Sequence, residues 1–574
     1  MRLFSRLRIF VKFIIIGSFL SSSVGTLAAS ENTSSDLETR WNLMLVGGSM
    51  NTCSSMSARN CVDADWIDSE AMRVQTSVTL SEERIAAMLA SPVWQESAER
   101  KQQVTRAMRG ISRHFNHNEA AIGDFSRYFR EVYPNLWRDL SNTEWLVIRD
   151  HLQSAETATV SEVSNLSLSK QPQGAELFAT FANRAKEIAK SNEQEPLILV
   201  VTASGRDSFD AVDFYLSSFR DFGVRAQWLP IDAAFGHAVA NDQCTAIAEY
   251  RAEYQQAFDR ERVYPWLAEA QRNACKNPSE ILEMVANAQG LFINGGDQSL
   301  TRQAFYEPNG APSAWLRLLQ QRVADGAMVA GGTSAGTAIM PALAMISNGT
   351  SEAALKEGAV AMPQPPTVDC ERDNSCAPAG SANSLTYHAE GGIGLFPFGL
   401  LDTHFSERGR QARLLRLLVD TEQHLAVGVD ETTALLVDTR SGDFQVQGAH
   451  GVFMLSHASA EPTSAEGDKK SITGRFTYLR NGSSGTFSDD ANAFTSLNFN
   501  TQPQADSGAS GADDFLRDRS ITAALSSCAE DTPWYQNHDK QVTVLLAGDQ
   551  QTHIAHAESA CEVALGVIHF QVSE

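Results

Sequence analysis

Basic residues are scarce in this chain: 46 Lys and Arg stand against 69 Asp and Glu over 574 residues, for a formal net charge of −23. So acidic a surface repels nucleic acid and anionic lipid, which excludes both as general partners. Acidity says nothing positive about a substrate, because strong net charge commonly serves solubility. Tight paired CxxC couples are absent and no histidines cluster beside the cysteines, so a structural zinc site is the weaker reading of the eight cysteines. Long apolar runs are also lacking. Hydrophobic residues make up 43% and charged residues 20%, close to globular averages, which excludes wholesale disorder and a polytopic membrane protein. No internal repeat is present.

The first thirty residues stand apart. Arg2, Arg6, Arg8 and Lys12 precede the apolar run Phe13 to Phe19, and small residues follow to Ala28 and Ala29. This layout predicts a secretory signal over 1–29, cleaved near Ala28 or Ala29, with an uncleaved anchor as the alternative. The run is short for a membrane span. The cysteines fall as four neighbouring couples, Cys53 with Cys61, Cys244 with Cys275, Cys370 with Cys376 and Cys528 with Cys561. An even count suits an oxidising compartment, and nearest-neighbour pairing is the expectation among 105 connectivities.

Short apolar runs recur at 43–46, 197–201, 290–293, 328–330, 426–429 and 434–437, the first ending in Gly47-Gly48 and the second leading to Ala203-Ser204-Gly205. Helical periodicity lies between them at Phe209–Phe219, Ala314–Val323 and Arg408–Leu418. Buried strands alternating with helices predict an α/β core with a mostly parallel sheet covered on both faces, over 38–62 and 196–455. Residues 63–195 carry Glu-, Arg- and Gln-rich amphipathic stretches and read as a helical insertion. Residues 456–574 turn strand-like, with a flexible Ser/Gly/Ala/Asp piece near 501–514.

The uncharged window 326–346 is long enough for a membrane span, but its glycines and Pro341 point instead to a strand, a sharp turn and a helix. It contains Gly332-Thr333-Ser334-Ala335-Gly336 directly after a strand, the context in which G-x-S-x-G thrusts a serine hydroxyl out of a sheet edge. Taken alone the pentapeptide also fits a phosphate loop or close packing. A serine nucleophile needs a base and an orienting carboxylate. His404 follows the Gly/Pro-rich segment 391–399, and Asp430 and Glu431 end an apolar strand. His114, His117, His237, His388, His424, His553 and His556 have ordinary structural settings. Gly295-Gly296-Asp297-Gln298 ends another strand, and its amides could meet a developing oxyanion together with the N–H of Ala335. Four strand ends carrying such groups form a coherent pattern.

These segments together resemble the cyanophycinase family of serine exopeptidases, relatives of aspartyl dipeptidase. The family pattern has a G-T-S-A-G turn, a G-G-D-Q loop, a D-x-H-F-x-x-R-x-R-x-x-R segment and a G-x-D-E-x-T-A strand end. The chain shows Gly332–Gly336, Gly295–Gln298, Asp402-Thr403-His404-Phe405 with Arg408, Arg410 and Arg413, and Gly428-Val429-Asp430-Glu431-Thr432-Thr433-Ala434. The resemblance implies a flavodoxin-like fold, akin to class I glutamine amidotransferases. It implies Ser334 as nucleophile, His404 as base and Glu431 orienting it, with Gly296 and Ala335 as the oxyanion hole. Chain order Ser, His, Glu departs from the α/β-hydrolases and speaks against a lipase or esterase.

The implied substrate is cyanophycin, a poly-aspartate bearing arginine on its side chains and cut to β-Asp-Arg dipeptides. Arg408, Arg410 and Arg413 are expected on one helix as guanidinium forks for carboxylates. Gln298 is expected to bond the substrate amide, and Asp402 and Thr403 to line the same subsite. No cofactor and no metal is implied. The expected partner is the peptide, with a homodimer as an option and no membrane once the leader is cleaved. Thr403 departs from the glutamine usual in cyanophycinases, and a Pro-rich loop with Cys370 and Cys376 enlarges the stretch between Ser334 and His404. An aspartyl or isoaspartyl dipeptidase is the alternative activity. A non-catalytic binding protein on a hydrolase scaffold is the alternative of another class.

Overall fold

The computed structural model describes residues 40–95, 97–372, 375–376, 380–461, 470–488, 493–500, 514–525, 534–539, 541–557 and 560–572. The leader expected over 1–29, the piece 501–513 and Cys528 lie outside these. Five strands form the parallel part of the main sheet, four of them apolar or glycine-rich and the edge strand alternating, in the spatial order Arg225–Trp228, Leu197–Val201, Gly290–Ile293, Val329–Thr333 and Leu43–Val46. Four antiparallel strands continue it: Thr433–Val437, Asp443–Gly448, Ser484–Phe487 and Phe494–Asn498. Continuous apolar strands need cover on both faces. The helices Pro172–Ser191 and Val212–Arg220 supply one cover, setting Phe178, Phe181 and Phe219 against Val200 and Phe292. On the other face Ala233–Ala240, Ser279–Asn287 and Ala314–Ala324 bury Phe235, Ile281 and Leu316.

Register decides what these strands present. Val46 lies opposite Thr333, and Ile293 opposite Gly332, so Gly47, Ser334 and Asn294 leave the sheet at one carboxyl edge. Ligand sites of parallel α/β sheets lie along such an edge.

The histidine strand belongs elsewhere. Leu400–Thr403 and Leu425–Val429 are parallel to each other, linked by the helix Gln411–Asp420, but they lie in a second sheet. That sheet continues antiparallel through Gly451–Glu461, Lys470–Arg480, Ala560–Val572, Val542–Ala547 and Tyr535–Asp539. One parallel sheet was expected to carry all four site segments; two sheets share them. The reason is the tight turn Asp430–Thr432, which hands the chain from Leu425–Val429 in the second sheet to Thr433–Val437 in the first. The expected boundary at 455/456 falls inside the strand Gly451–Glu461, because the late strands complete the sheet that carries His404.

The insertion also has a different limit. Pro172–Ser191, placed with it by sequence, is a cover of the main sheet. A separate apolar cluster forms among Glu82–Leu89, Ala98–His114, Ile122–Val132 and Asn142–Leu152, around Met88, Met108, Phe125, Phe129 and Ile148. Ser81, Ser97 and Ser141 cap three of these helices, Ser141 in a reciprocal box with Glu144. Pro134 splits the helix expected over Phe125–Leu136 into two. Arg206 ties the cluster to the core through a bidentate pair with buried Asp150 at 2.7 and 2.8 Å. Three of the four expected disulfides are described: Cys53–Cys61, Cys244–Cys275 and Cys370–Cys376. Among the described residues no helix is long and apolar enough to cross a membrane.

Candidate active site

Ser334 sits between the strand Val329–Thr333 and the short helix Ala335–Ala338 with φ 55° and ψ −115°, a backbone conformation that costs about 1–3 kcal/mol for a residue with a side chain. Its surroundings hold it there. Its N–H donates to Val46 O at 3.0 Å, and the single Thr337 hydroxyl proton is shared between Val46 O and Gly332 O, which lie 2.7 and 2.8 Å from Oγ1. A Cβ on Gly332 would lie 2.3 Å from Gly336 O, and one on Gly336 would lie 2.2 Å from Ile293 O. Both glycines are therefore fixed by close backbone approach.

The serine hydroxyl lies 2.7 Å from His404 Nε2, and His404 Nδ1 lies 2.6 Å from Glu431 Oε1. A carboxylate can only accept, so Nδ1 carries the ring proton and Nε2 is left to accept from Ser334. Backbone bonds across the two sheets fix the ring: His404 N donates to Gly47 O at 2.8 Å and Thr432 N to Gly48 O at 2.9 Å. Gly48, at φ +133°, lies flat against the imidazole, and a Cβ there would be 2.3 Å from Cε1. Gly428 makes room for the Phe405 ring in the same way, since a Cβ would meet it at 2.3 Å. In the sequence Gly47-Gly48 simply follows an apolar strand, and nothing there marks its approach to the imidazole.

Burial lowers the His404 pKa below its ordinary value, with Arg408 and Arg410 adding to the fall and the Glu431 hydrogen bond opposing it. The ring is neutral at neutral pH and free to take a proton. Burial acts to raise Glu431, but the His404 hydrogen bond and charge and a bond from Ser49 outweigh it, so this carboxyl stays ionised. Asp430, the other carboxylate left open by sequence, points away from His404. It is fully buried and accepts from Ser406 N at 2.9 Å and from Tyr478 Oη at 3.0 Å.

A cavity of about 320 Å³ opens at Ser334, with Gly296, Gln298, Ala335, Thr403, Arg408 and Arg410 in its walls. The amides of Gly296 and Ala335 donate to no backbone carbonyl among the described residues. Larger cavities of about 660 and 730 Å³ flank it, the first sharing Arg408 and Arg410 and the second sharing Gly296 and Asp297.

Several expected substrate contacts are spent within the protein. Asp402, 1% exposed, accepts from Arg413 at 2.6 and 2.7 Å and from Arg410 at 3.0 Å, so it anchors guanidiniums rather than facing a ligand. Arg413 also donates to Gly349 O and is consumed by these bonds. Gln298 gives its amide N–H to Ile346 O at 2.7 Å, which leaves its oxygen for other partners. Thr403 is buried in the wall. The three arginines do not share a helix either: Ser406–Arg408 is a single 3-10 turn, Gly409 is left-handed at φ 53°, and the helix starts at Gln411. Arg408 is exposed at the cavity mouth and Arg410 half-buried, its pKa lowered to about 9 by burial and by the charge of Arg413.

No family model matches the chain. About a third of it is similar to curated cyanophycinases. The cyanophycinase of Synechococcus elongatus is 29% identical over 176 residues, 31% of this chain and 44% of the relative. That of Trichormus variabilis is 26% identical over 185 residues, 32% and 50% respectively. The matched stretch thus spans about half the length of these relatives. A peptidase from an acI-B1 Actinobacterium overlays with a TM-score of 0.31 and 17% identity, over 55% of this chain and 92% of that one.

Proposed function

We propose that the chain is a secreted serine peptidase that hydrolyses cyanophycin to β-Asp-Arg dipeptides through an acyl-enzyme. The observation that carries this reading is the unbroken relay Ser334, His404, Glu431, with links of 2.7 and 2.6 Å, opening into a cavity walled by Arg408 and Arg410. Ser334 Oγ attacks the scissile carbonyl carbon while His404 Nε2 takes its proton. The carbonyl oxygen gathers charge beside the amides of Gly296 and Ala335. As the tetrahedral species collapses, His404 returns the proton to the leaving amine, and the same ring then draws a proton from the water that frees the acyl group. Glu431 stabilises the imidazolium at each stage. Arg408 and Arg410 pair with aspartate carboxylates.

The parallel strands support the flavodoxin-like reading of the core. From Arg225–Trp228 they follow the 2-1-3-4 order of such sheets, with the N-terminal strand Leu43–Val46 in the fifth place. Three disulfides and the leader-like first thirty residues support export.

Thr403, where cyanophycinases usually carry glutamine, favours a second reading, cleavage of short aspartyl or isoaspartyl peptides. Clearing of insoluble polymer by the purified mature protein, set beside release from β-Asp-X dipeptides, tests both. Polymer clearing that vanishes in Ser334→Ala supports the first reading. Dipeptide cleavage without clearing supports the second, and clearing undiminished in Ser334→Ala rejects the serine mechanism.

A further inference from the structure

The triad's carboxylate side rests on a segment that the relay itself does not use. Glu431 N–H donates to Glu407 Oε2 at 3.2 Å, so the backbone of the acid is held by a second carboxylate. Glu407 Oε1 accepts in turn from Arg519 Nη1, and Arg519 Nη2 stands 3.5 Å from Asp430 Oδ2. Arg519 comes from residues 514–525, remote in sequence from every motif of the site. Three carboxylates, Glu407, Asp430 and Glu431, occupy neighbouring, largely buried positions, and burial with the charge of Asp430 pushes Glu407 up to about 8 against the lowering pull of Arg519. One guanidinium forks between two of them.

The segment is built onto the histidine loop by three further contacts. Thr522 Oγ1 lies 2.5 Å from Ser406 Oγ and accepts from Gln411 Nε2 at 3.3 Å. Phe515, Leu516, Ile521 and Leu525 are buried with Phe405 and Leu415. Gly409 is pressed against the segment so closely that a Cβ would lie 2.4 Å from Arg517 N. The turn from Ser406 to Arg410, which carries Arg408 and follows His404, is therefore shaped by chain more than a hundred residues later.

We infer that Arg519 is a positioning residue of the triad: by bridging Glu407 and Asp430 it aims Glu431 at His404, and residues 514–525 complete the active site. This rests on the serine-peptidase reading but not on its substrate. Removing the guanidinium takes a positive charge from a setting that also contains Glu407, Asp430, His450, Tyr478 and Arg480. Loss of a cation favours the imidazolium, so the pH at which the ring becomes a base rises.

The test is the rate at which a serine-directed fluorophosphonate modifies Ser334 in the full chain, followed across pH. Arg519→Met is expected to slow labelling about 10²-fold, the low end of what a mispositioned base costs, and to shift the acid limb upward. Arg519→Lys keeps the charge without the fork and is expected to label about fivefold more slowly than the parent. Parental rate and an unmoved limb in Arg519→Met overturn the inference. Should Arg519→Met fail to fold, Arg519→Lys decides alone: a fivefold loss at the parental melting temperature supports the role and a parental rate overturns it. A parent that takes the label but leaves cyanophycin intact removes the substrate reading alone, and a parent that takes no label removes both.

Discussion

The two halves of the candidate site are held by different physics. On the serine side, close backbone packing does the positioning: Gly332 and Gly336 have no room for a Cβ, the Ser334 N–H donates to Val46 O, and the Thr337 hydroxyl bonds the carbonyls of Val46 and Gly332. On the imidazole side the work falls to buried charge: Asp402 with Arg410 and Arg413, and Asp430 and Glu407 with Arg519. Steric positioning is local and unforgiving of a single methyl group. Electrostatic positioning draws partners from distant sequence and fails when one partner is left alone.

Breaking the relay itself should give the largest effect. Ser334→Ala is expected to lower polymer hydrolysis by about 10⁴-fold or more with an unchanged melting curve, measured by dipeptide release and thermal unfolding. Next comes a steric break at the seam. Gly48→Ala drives a methyl into the imidazole and should cut kcat about 10²-fold with little change in KM, read by steady-state kinetics. The electrostatic side is broken by Asp402→Asn, which strands two guanidiniums; it should cost about 3–5 kcal/mol of stability in a denaturant titration. Arg408→Gln, at the cavity mouth, should raise KM for polymer about tenfold and leave KM for neutral esters unchanged.

The smallest effect is a pH shift. Because burial and the nearby cations depress His404, the acid limb of kcat/KM should lie below the ordinary 6.5, activity rising as the ring loses its proton. Arg408→Gln removes one of those cations and should move the limb upward by less than about one pH unit, checked in the same kinetics. A limb that stays put would show the arginine's charge to be screened.

The steric half was legible in sequence because its chemistry sits in contiguous glycines and small residues after an apolar strand. The catalytic residue types could be named for the same reason: each lies at a strand end marked by punctuation. The division into two sheets was not legible, since Leu400–Thr403 and Leu425–Val429 read like any other buried parallel strands. Periodicity reports burial, not which sheet a strand joins. Arg413 and Asp402 carried the right residue types for ligand binding, and only contact distances reveal that they satisfy each other. Arg519 sits in an unremarkable Arg-Asp-Arg-Ser stretch with no motif to mark it.

The pairing of Lys470–Arg480 with Ala560–Val572 has a consequence for biosynthesis. A ribosome that has released the first five hundred or so residues has already delivered Ser334 and the whole parallel sheet beneath it, while the sheet bearing His404 still lacks an inner strand. The serine side can therefore fold before the sheet that carries His404 is complete.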